Sequence, residues 1–360
     1  MSERGATIEG AGQRAGVVWQ NRCGVAEGVS DVVSQVEAEL AIEVRGLVKR
    51  YRGGRGQDDI EAVRGIDLAV RRGEVFGFLG PNGAGKTTTV RMLCTLLPIS
   101  DGYATVAGVD VRKDPAEVRR HIGVALQEVG LDPTQTGREL LELQCALYRV
   151  PDPAGRCAEL LGLVGLSEAA NRTVKTYSGG MRRRLDLATA LVHEPEVLFL
   201  DEPTTGLDPA SRATVWDEVR RINDAGTTIF LTTQYLEEAD QLCQRLAIID
   251  DGRLVAAGTP DTLKAELGSD VITVGLRPAE HQAAREALAP LRGLDHITDA
   301  SEGLAVYVQD GAAAVADVVR LLVDVGIRPG TIALARPTLD DVFLASTGRR
   351  IEGGAPEAAA

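Results

Sequence analysis

Short apolar runs alternate with amphipathic helical patterns from residue 41 onward. The runs are bounded by Gly, Pro or Asp, as is typical of strands, and helical patterns lie between several of them. The predicted strands are Ala41–Val44, Ile66–Val70, Val75–Leu79, Val197–Leu200, Thr228–Leu231 and Leu246–Ile249. The predicted helices are Lys86–Leu97, Gly180–Val192 and Ser211–Asn223. This alternation predicts an α/β fold with a largely parallel sheet.

A second pattern begins after about residue 269. A strand at Val271–Leu276 and a helix at Pro278–Leu291 open it. They are followed by two strands, a helix and a last strand, at Leu294–Asp299, Leu304–Val308, Ala312–Val325 and Thr331–Ala335. The order βαββαβ predicts a small ferredoxin-like α+β domain at the C-terminus.

These patterns divide the chain into four segments. Residues 1–38 are rich in Gly, Ala, Ser and charge without a sustained period, and we predict a flexible N-terminal extension. Residues 39–268 form the predicted larger domain, and residues 269–348 form the predicted accessory domain. Residues 349–360 are predicted to be a disordered tail.

Composition and charge narrow the classes of function. The chain has 360 residues and a formal net charge of −13, which disfavours a general binder of nucleic acid or anionic lipid. Its five cysteines are scattered without a CxxC pair, so neither a zinc site nor a disulfide framework is predicted, and a reducing compartment is favoured. No run approaches the 18 apolar residues of a membrane span, and the N-terminus lacks the apolar region of a secretory signal. Any role at a membrane is therefore expected from the water side.

The apolar run Val75–Leu79 leads directly into a glycine-rich segment that matches GxxxxGK[ST]. In such a loop the glycines let backbone N–H groups face inward and cradle phosphate oxygens at the start of a helix. The lysine can reach the β- and γ-phosphates, and the threonine hydroxyl suits Mg²⁺. The predicted phosphate-binding residues are Gly80, Pro81, Asn82, Gly83, Ala84, Gly85, Lys86, Thr87 and Thr88.

Two carboxylates end the apolar run Val197–Leu200. The carboxyl ends of strands in α/β sheets are where ligands bind. Asp201 is predicted to hold Mg²⁺ through water, and Glu202 is predicted to act as the general base toward an attacking water. An apolar run followed by Asp-Glu is common on its own, and the preceding phosphate loop strengthens this interpretation.

A third segment, Tyr177–Met181, opens a strong helical pattern. Ser178, Gly179 and Gly180 would present a hydroxyl and bare N–H groups at the positive end of a helix, which makes a second phosphate-binding surface. A simple helix cap by Ser178 explains the same residues.

The phosphate loop, the Ser-Gly-Gly segment, the run 197–203 and Gly206–Pro209 occur in this order, and together they resemble the nucleotide-binding domain of ABC ATPases. The resemblance covers about residues 41–265 and implies a P-loop ABC-type domain with an α-helical subdomain. Within that family, residues 177–188 and 336–348 resemble the daunorubicin-resistance-type ATPases of drug exporters, and the C-terminal region is similar to their small appended domain.

The resemblance implies further roles. Tyr51 matches the aromatic residue on which adenine stacks, with a packed core tyrosine as the alternative. Gln127 matches the glutamine that touches Mg²⁺ and the attacking water and lies beside the transmembrane subunit. Asp208 matches the aspartate that communicates across a dimer. Gln234 stands where the family has a switch histidine; its amide can donate to the γ-phosphate but carries no positive charge.

A head-to-tail homodimer is also implied, with each ATP held between one phosphate loop and the partner copy's Ser-Gly-Gly segment. ATP binding would close the dimer and hydrolysis would reopen it. The run Arg182–Arg184 is interpreted as a partly solvated helix face near that interface rather than as a nucleic-acid patch.

These implications favour an ATPase subunit that drives drug or antibiotic efflux, with ATP and Mg²⁺, at the cytoplasmic face of the membrane. A separate transmembrane permease subunit would then choose the cargo. The alternative is an ABC-type ATPase acting on nucleic acid or ribosomes, which the net charge and the single motif set disfavour.

Overall fold

The computed structural model describes residues 39–53, 58–127, 130–266, 268, 270–300 and 303–348. The predicted N-terminal extension and C-terminal tail lie outside these residues. The strands are β1 (Leu40–Tyr51), β2 (Ile60–Arg71), β3 (Val75–Leu79), β4 (Asp101–Val106), β5 (Val109–Asp110), β6 (Ile122–Ala125), β7 (Val197–Asp201), β8 (Thr228–Thr233), β9 (Arg245–Asp250), β10 (Arg253–Gly258), β11 (Asp270–Gly275), β12 (Leu294–Ala300), β13 (Gly303–Val308) and β14 (Ile332–Ala335).

Helices connect most of these strands. The α-helices are α1 (Lys86–Leu93), α2 (Pro115–His121), α3 (Gly137–Tyr148), α4 (Pro153–Leu163), α5 (Gly179–Ala190), α6 (Pro209–Asp224), α7 (Leu236–Leu242), α8 (Pro260–Glu266), α9 (His281–Leu288), α10 (Gly311–Asp324) and α11 (Leu339–Thr347). Short 3₁₀ turns lie at Ser167–Ala169, Val174–Thr176 and Pro278–Glu280.

A six-stranded sheet forms the centre of the larger domain, in the order β10-β9-β3-β8-β7-β6. Its strands are parallel except for β10, which pairs antiparallel with β9. Every residue of β3, β7 and β8 is buried, as expected for parallel strands covered on both faces. The predicted α/β fold with a largely parallel sheet is confirmed.

Two of the predicted strands belong to a different sheet. Strands β1 and β2 pair antiparallel and join β4 and β5 in a four-stranded sheet of order β2-β1-β4-β5. Strands β4, β5, β6 and β10 were not predicted, because β5 and β6 are very short and β4 and β10 have few buried residues. Periodicity along one segment does not reveal which other segment it will pair with.

The helical subdomain contains α3 and α4. A capping box at Thr136 and Glu139 fixes the start of α3, and Asp152 caps α4 ahead of Pro153 in its first turn. Both helices bury leucines against α5 in one core with the six-stranded sheet.

The C-terminal segment forms a third sheet of order β12-β13-β11-β14, with α9 and α10 over a separate apolar core. Its strands and helices follow the order βαββαβ, and its strands pair antiparallel.

The last helix, α11, was not predicted and leaves this small domain. A capping box at Thr338 starts α11, and Gly348 ends it in the left-handed region at φ 74°. Leu339, Val342 and Phe343 pack into the core of the larger domain beside α8. The helix therefore ties the end of residues 269–348 back to the first domain.

Candidate functional site

The glycine-rich loop follows β3 at the carboxyl end of the parallel sheet and leads into α1. Gly83 and Gly85 have φ of +80° and +110°, which L-residues with a side chain rarely adopt. A Cβ at Gly80 would lie 2.3 Å from the Ile249 carbonyl oxygen, so that position requires glycine. The loop is thereby held as a tight turn, with Asn82 and Gly83 exposed at its tip and the N-terminus of α1 behind it.

Lys86 is buried beneath this loop. Its Nζ donates to the carbonyl oxygens of Gly80 at 2.7 Å and Pro81 at 3.1 Å, and it forms an ion pair with Glu202 Oε1 at 3.2 Å. Burial lowers the pKa of Lys86, and the nearby Glu202 opposes that shift. A buried cation with three oxygen partners is arranged to exchange some of them for phosphate oxygens.

Asp201 ends β7 with one carboxylate oxygen satisfied and the other without a partner. Its Oδ1 accepts hydrogen bonds from Thr232 Oγ1 at 2.5 Å and Thr87 Oγ1 at 3.3 Å. Its Oδ2 is buried and has no hydrogen-bond partner. An unpaired buried carboxylate oxygen is costly unless another group satisfies it.

This arrangement fits a magnesium ion. Mg²⁺ prefers oxygen ligands and is usually held by one or two protein groups together with phosphate and water. The Asp201 carboxylate and the Thr87 hydroxyl supply such oxygens at the mouth of the loop. Within the described ranges no group of three or more His, Cys, Asp or Glu could hold a metal alone, so the remaining ligands would come from nucleotide and water.

Glu202 lies at the centre of the site in an unusual backbone conformation. Its φ is +49°, and its amide donates to the Thr232 carbonyl oxygen at 3.1 Å. Its Oε1 faces Lys86, while its Oε2 accepts from Gln127 Nε2 at 3.4 Å and from Thr205 Oγ1 at 3.3 Å. A left-handed, non-glycine residue costs on the order of 1–3 kcal/mol, and such residues are enriched at functional sites.

The Ser-Gly-Gly segment and Asp208 form a second cluster. Ser178 caps α5 and accepts from the Met181 amide at 3.2 Å, as the simple cap interpretation requires. Ser178 and Gly179 are exposed, whereas Gly180 lies against Ser211, whose Oγ would be 3.0 Å from a Cβ at that position. Ser211 in turn donates to Asp208 at 2.6 Å and lowers the pKa of that aspartate.

The structure therefore brings the predicted residues together in two groups. Lys86, Thr87, Gln127, Asp201 and Glu202 are linked by hydrogen bonds and an ion pair. In the part of the chain that the structure describes, no hydrogen bond or ion pair joins the side chains of Ser178 or Asp208 to that group. Within one chain the two groups are therefore separate clusters of polar side chains.

Tyr51 and Gln234 lie at the edges of the site. Tyr51 ends β1 with 38% of its surface exposed, so its ring does not pack in the core, and Lys49 Nζ lies 5.2 Å from the ring centre. Gln234 directly follows β8 and is half-buried. Both side chains are accessible to a ligand.

The arginine run is partly solvated, as predicted, but one of its three residues is buried. Arg182 is exposed and Arg184 partly buried, but Arg183 is only 4% exposed and faces the carboxyl ends of β6 and β7. Three consecutive residues on a helix point in three directions, so one of them must face the core when the others flank it. The helical period of α5 could have indicated this burial, because Arg183 lies four residues before the buried Leu187 and so on the same face of the helix.

Glu238 is a second residue that the sequence analysis missed. It is fully buried in α7, where its Oε1 accepts from Thr204 Oγ1 at 2.7 Å and Trp216 Nε1 at 3.0 Å. Burial raises the pKa of Glu238. Through Thr204, Glu238 connects α7 to the loop that carries Asp208. In the sequence, the only indication that Glu238 is buried is its place on the same helix face as Ala239 and Leu242.

No helix among the described residues is long and apolar enough to cross a bilayer.

Comparisons with known proteins agree with the site. The profile of the family described as ABC transporter matches residues 63–205. The daunorubicin resistance ATP-binding protein DrrA3 of Streptomyces coeruleorubidus is 50% identical over 322 residues, which cover 88% of this chain and 100% of that protein. The daunorubicin/doxorubicin resistance ATP-binding protein DrrA of Streptomyces peucetius is 47% identical over 327 residues, covering 89% of this chain and 96% of that protein.

A solved structure, the dimeric form of the bacterial ABC transporter cassette MJ0796, is 25% identical with a TM-score of 0.55 and covers 61% of this chain and 98% of the cassette. The phosphate loop with Lys86, the Ser178 segment and the carboxylates of Asp201 and Glu202 all lie within the residues that the family profile matches. The chain therefore belongs to the ABC transporter family, as an ATP-binding and ATP-hydrolysing protein of the daunorubicin-resistance type.

Proposed function

We propose that this chain is the ATPase subunit of an exporter and powers efflux of a small-molecule drug or antibiotic through a separate transmembrane subunit. The observation that carries the proposal is the match along 88–89% of the chain to proteins named for daunorubicin resistance. The chain would act at the cytoplasmic face of the membrane. Its own described residues supply the nucleotide chemistry, and the permease would supply the path and choose the cargo.

The nucleotide would lie on the loop from Gly80 to Thr88, with its phosphates against the loop amides and the start of α1. The helix dipole and the free N–H groups favour negative charge at this position. The exposed ring of Tyr51 offers a stacking surface for adenine, which is worth roughly 1–3 kcal/mol for base stacking in other proteins.

Mg²⁺ would be held by the Thr87 hydroxyl and, through water, by Asp201, with Gln127 near it. When bound, the ion would neutralise charge on the β- and γ-phosphates. The unpartnered Oδ2 of Asp201 supports this role, since it has no other group to satisfy it.

Glu202 is the proposed general base, with Gln127 helping to orient the attacking water. Lys86 Nζ lies 3.2 Å from Glu202 Oε1 in the structure. A γ-phosphate would compete for Lys86, because a polyanion attracts the ammonium more strongly than one carboxylate does. Glu202 would then be free to accept a proton from water. Gln234 would donate to the γ-phosphate from the end of β8.

Two copies would assemble head to tail, with Ser178, Gly179 and Gly180 of one copy against the nucleotide of the other. The exposed tip of α5 presents its first N–H groups and the Ser178 hydroxyl outward. Asp208, which is linked to this tip through Ser211, would lie at the same interface.

The permease would dock on an apolar groove between α1, β6, α3 and α5. Leu96 and Tyr148 line this groove with exposed side chains, and α3 also exposes Leu143 and Leu147. The groove is lined by Leu126, which immediately precedes Gln127, and by Tyr148 and His193, whose rings stack at 4.0 Å. An amphipathic helix of the membrane subunit fits such a surface, and its movement would reach Gln127 directly.

The proposal is tested by co-expressing the chain with its candidate membrane subunit and measuring co-purification and drug-stimulated ATP hydrolysis. We expect Leu96→Glu to abolish co-purification, because Leu96 lines the groove and the substitution places a charge in the apolar contact. Val323→Glu, at a residue of the C-terminal domain that is 50% exposed, is the matched control and should leave the complex intact. If no drug changes the rate of ATP hydrolysis by the complex, the proposed cargo class is contradicted.

The nucleic-acid alternative gains no support from the relatives or from the net charge of −13. A salt-dependent shift of DNA or ribosomal RNA by the purified chain would revive it.

A further inference from the structure

Arg183 is a buried arginine at the point where two strands deliver the site residues. It lies one turn into α5, and its side chain is 5% exposed. Burying a guanidinium is costly unless its donors are paired. The groups to which Arg183 donates therefore indicate the role of this buried side chain.

The guanidinium donates to backbone carbonyl oxygens on two different segments. At the end of β7, the guanidinium donates to the carbonyl oxygens of Asp201 at 3.1 Å and Pro203 at 3.0 Å. At the end of β6, the guanidinium donates to the carbonyl oxygen of Leu126 and, at 3.5 Å, to that of Ala125. The planar fork of arginine offers five N–H donors in a fixed geometry, so one side chain can span both segments.

These carbonyl groups flank the residues that face the attacking water in the proposed mechanism. Leu126 immediately precedes Gln127, while Asp201 and Pro203 enclose Glu202. The parallel pairing of β6 with β7 ends at Ala125 and Leu200, so no ladder between these two strands holds Leu126 beside the residues that follow Leu200, which pair with β8 instead. The left-handed φ of Glu202 also needs support from outside the strand.

The neighbouring charge completes the environment of Arg183. Asp186, one turn further along α5, lies 3.2 Å from its Nη1, and burial raises the pKa of that aspartate to about 6. Asp186 is thus mostly ionised at neutral pH and balances the guanidinium, which leaves the remaining donors for the carbonyl groups.

We propose that Arg183 is a positioning residue, which holds the ends of β6 and β7 in the register that places Gln127 beside Glu202. The proposal rests on the roles proposed above for those two residues. Arg183 does not touch the nucleotide site with its own side chain in the described contacts; it acts through the backbone. Its loss should therefore affect the rate of hydrolysis more than the binding of ATP.

The test compares Arg183→Lys and Arg183→Gln with the matched control Arg184→Gln in the full chain. Arg184 donates to the Val164 carbonyl oxygen at 2.9 Å in the helical subdomain, away from Gln127 and Glu202. We expect kcat to fall about 100-fold in Arg183→Gln, since a misplacement of about 1 Å typically costs that much. Arg183→Lys should stay about 10-fold below the original chain, because a single ammonium cannot span both segments. KM and the dissociation constant of a fluorescent ATP analogue should change less than threefold, and Arg184→Gln should keep kcat within twofold.

A second readout separates positioning from folding. Each Arg183 substitution is combined with Glu202→Gln, and ATP-dependent dimerisation is measured by light scattering. We expect the dimer to form, since the phosphate loop and the Ser178 segment are unchanged. Loss of ATP binding or of folding in both Arg183 variants would assign the residue a merely structural role and overturn the proposal, as would full kcat in Arg183→Lys. If Glu202→Gln alone keeps the original turnover, the proposed base is wrong, while the Arg183 rates still report its own effect.

Discussion

At the scale of single residues, the central feature of the site is a pair of opposite charges beneath the phosphate loop. Lys86 and Glu202 form a buried ion pair, with side chains that are 4% and 6% exposed. Such a pair gains little stability over apolar residues, because both ions lose their hydration. Its value is that a phosphate can replace the carboxylate as the partner of Lys86, so binding of the substrate rearranges the proposed base.

The first prediction concerns Glu202. Glu202→Gln preserves size and hydrogen bonding but cannot accept a proton, so kcat should fall on the order of 10²- to 10⁴-fold. ATP binding should persist, as measured by titration with a fluorescent nucleotide. Glu237→Gln is the control, since that carboxylate is 70% exposed, and it should leave kcat unchanged. A Glu202→Gln chain with undiminished turnover would remove the residue from this role.

The second prediction concerns Gln234, the proposed donor to the γ-phosphate at the end of β8. A hydrogen bond to a charged group is worth about 1.5–3 kcal/mol, and each 1.36 kcal/mol corresponds to a tenfold change in rate. Gln234→Ala should therefore lower kcat by about 10- to 100-fold in a steady-state assay, with little change in nucleotide affinity. Unchanged kcat in Gln234→Ala would mean that another group contacts the γ-phosphate.

At the scale of elements, helices α5 and α6 share a buried carboxyl group that titrates near neutrality. Glu218 of α6 lies 3.8 Å from Arg184 of α5, and its Oε2 has no hydrogen-bond partner. Burial raises the pKa of Glu218 to about 8, against which Arg184 acts only weakly. The carboxyl group is therefore mostly protonated in the folded chain at pH 7.

The third prediction follows from that raised pKa. Between about pH 4.5 and pH 8 the unfolded chain loses this proton while the folded chain keeps it, so Glu218 makes the folded state less stable as pH rises through that window. Glu218→Gln cannot titrate, and its melting temperature relative to the original chain should rise from pH 5 to pH 8 and then level off. Differential scanning calorimetry at several pH values measures this. A difference that does not vary with pH would place the pKa of Glu218 near its ordinary value.

The fourth prediction concerns α11, the helix that returns to the larger domain. Phe343 is fully buried there, and Phe→Ala substitutions in cores typically cost about 3–5 kcal/mol. Phe343→Ala should lower the free energy of unfolding by that amount in a denaturant titration of the full chain. Val323→Ala, at a residue that is 50% exposed, should change it by less than about 0.5 kcal/mol. A small effect at Phe343 would mean that α11 contributes little to the larger domain.

At the scale of the whole molecule, the two groups of site residues lie on separate parts of one chain. The phosphate loop with Asp201 and Glu202 can bind a nucleotide, while the tip of α5 presents Ser178 to the outside. A nucleotide between two copies would satisfy both surfaces at once. ATP would then act as a ligand that favours the dimer, and hydrolysis would remove that preference.

The fifth prediction tests this dimer. With Glu202→Gln to stop hydrolysis, ATP should convert the chain from monomer to dimer in size-exclusion chromatography with light scattering, and ADP should not. Adding Ser178→Arg should prevent the dimer by placing a bulky side chain at the tip of α5, while binding of the fluorescent nucleotide persists. A dimer that forms equally well with Ser178→Arg would contradict the head-to-tail arrangement.

Much of the site was predictable because its chemistry is local in sequence. The spacing of Gly80, Gly85 and Lys86 requires a particular turn, and the structure shows that turn with positive φ at Gly85. Asp201 ends and Glu202 follows an apolar run that was predicted to be a buried strand, and every residue of β7 is buried. The pairing of β1 and β2 in a separate sheet and the return of α11 were not predictable, since both depend on contacts between distant segments.

Local order in the chain thus dictates the phosphate loop, the acidic strand end and the alternation of strands and helices, because backbone sterics and side-chain period act over a few residues. Folding decides which of these segments meet. It buries Arg183 out of a run of three arginines and aligns Gln127 with Glu202 across 75 positions of sequence. It also leaves Ser178 facing outward, where a second copy can reach it. Such long-range contacts depend on packing and burial in three dimensions, which no window along the sequence contains.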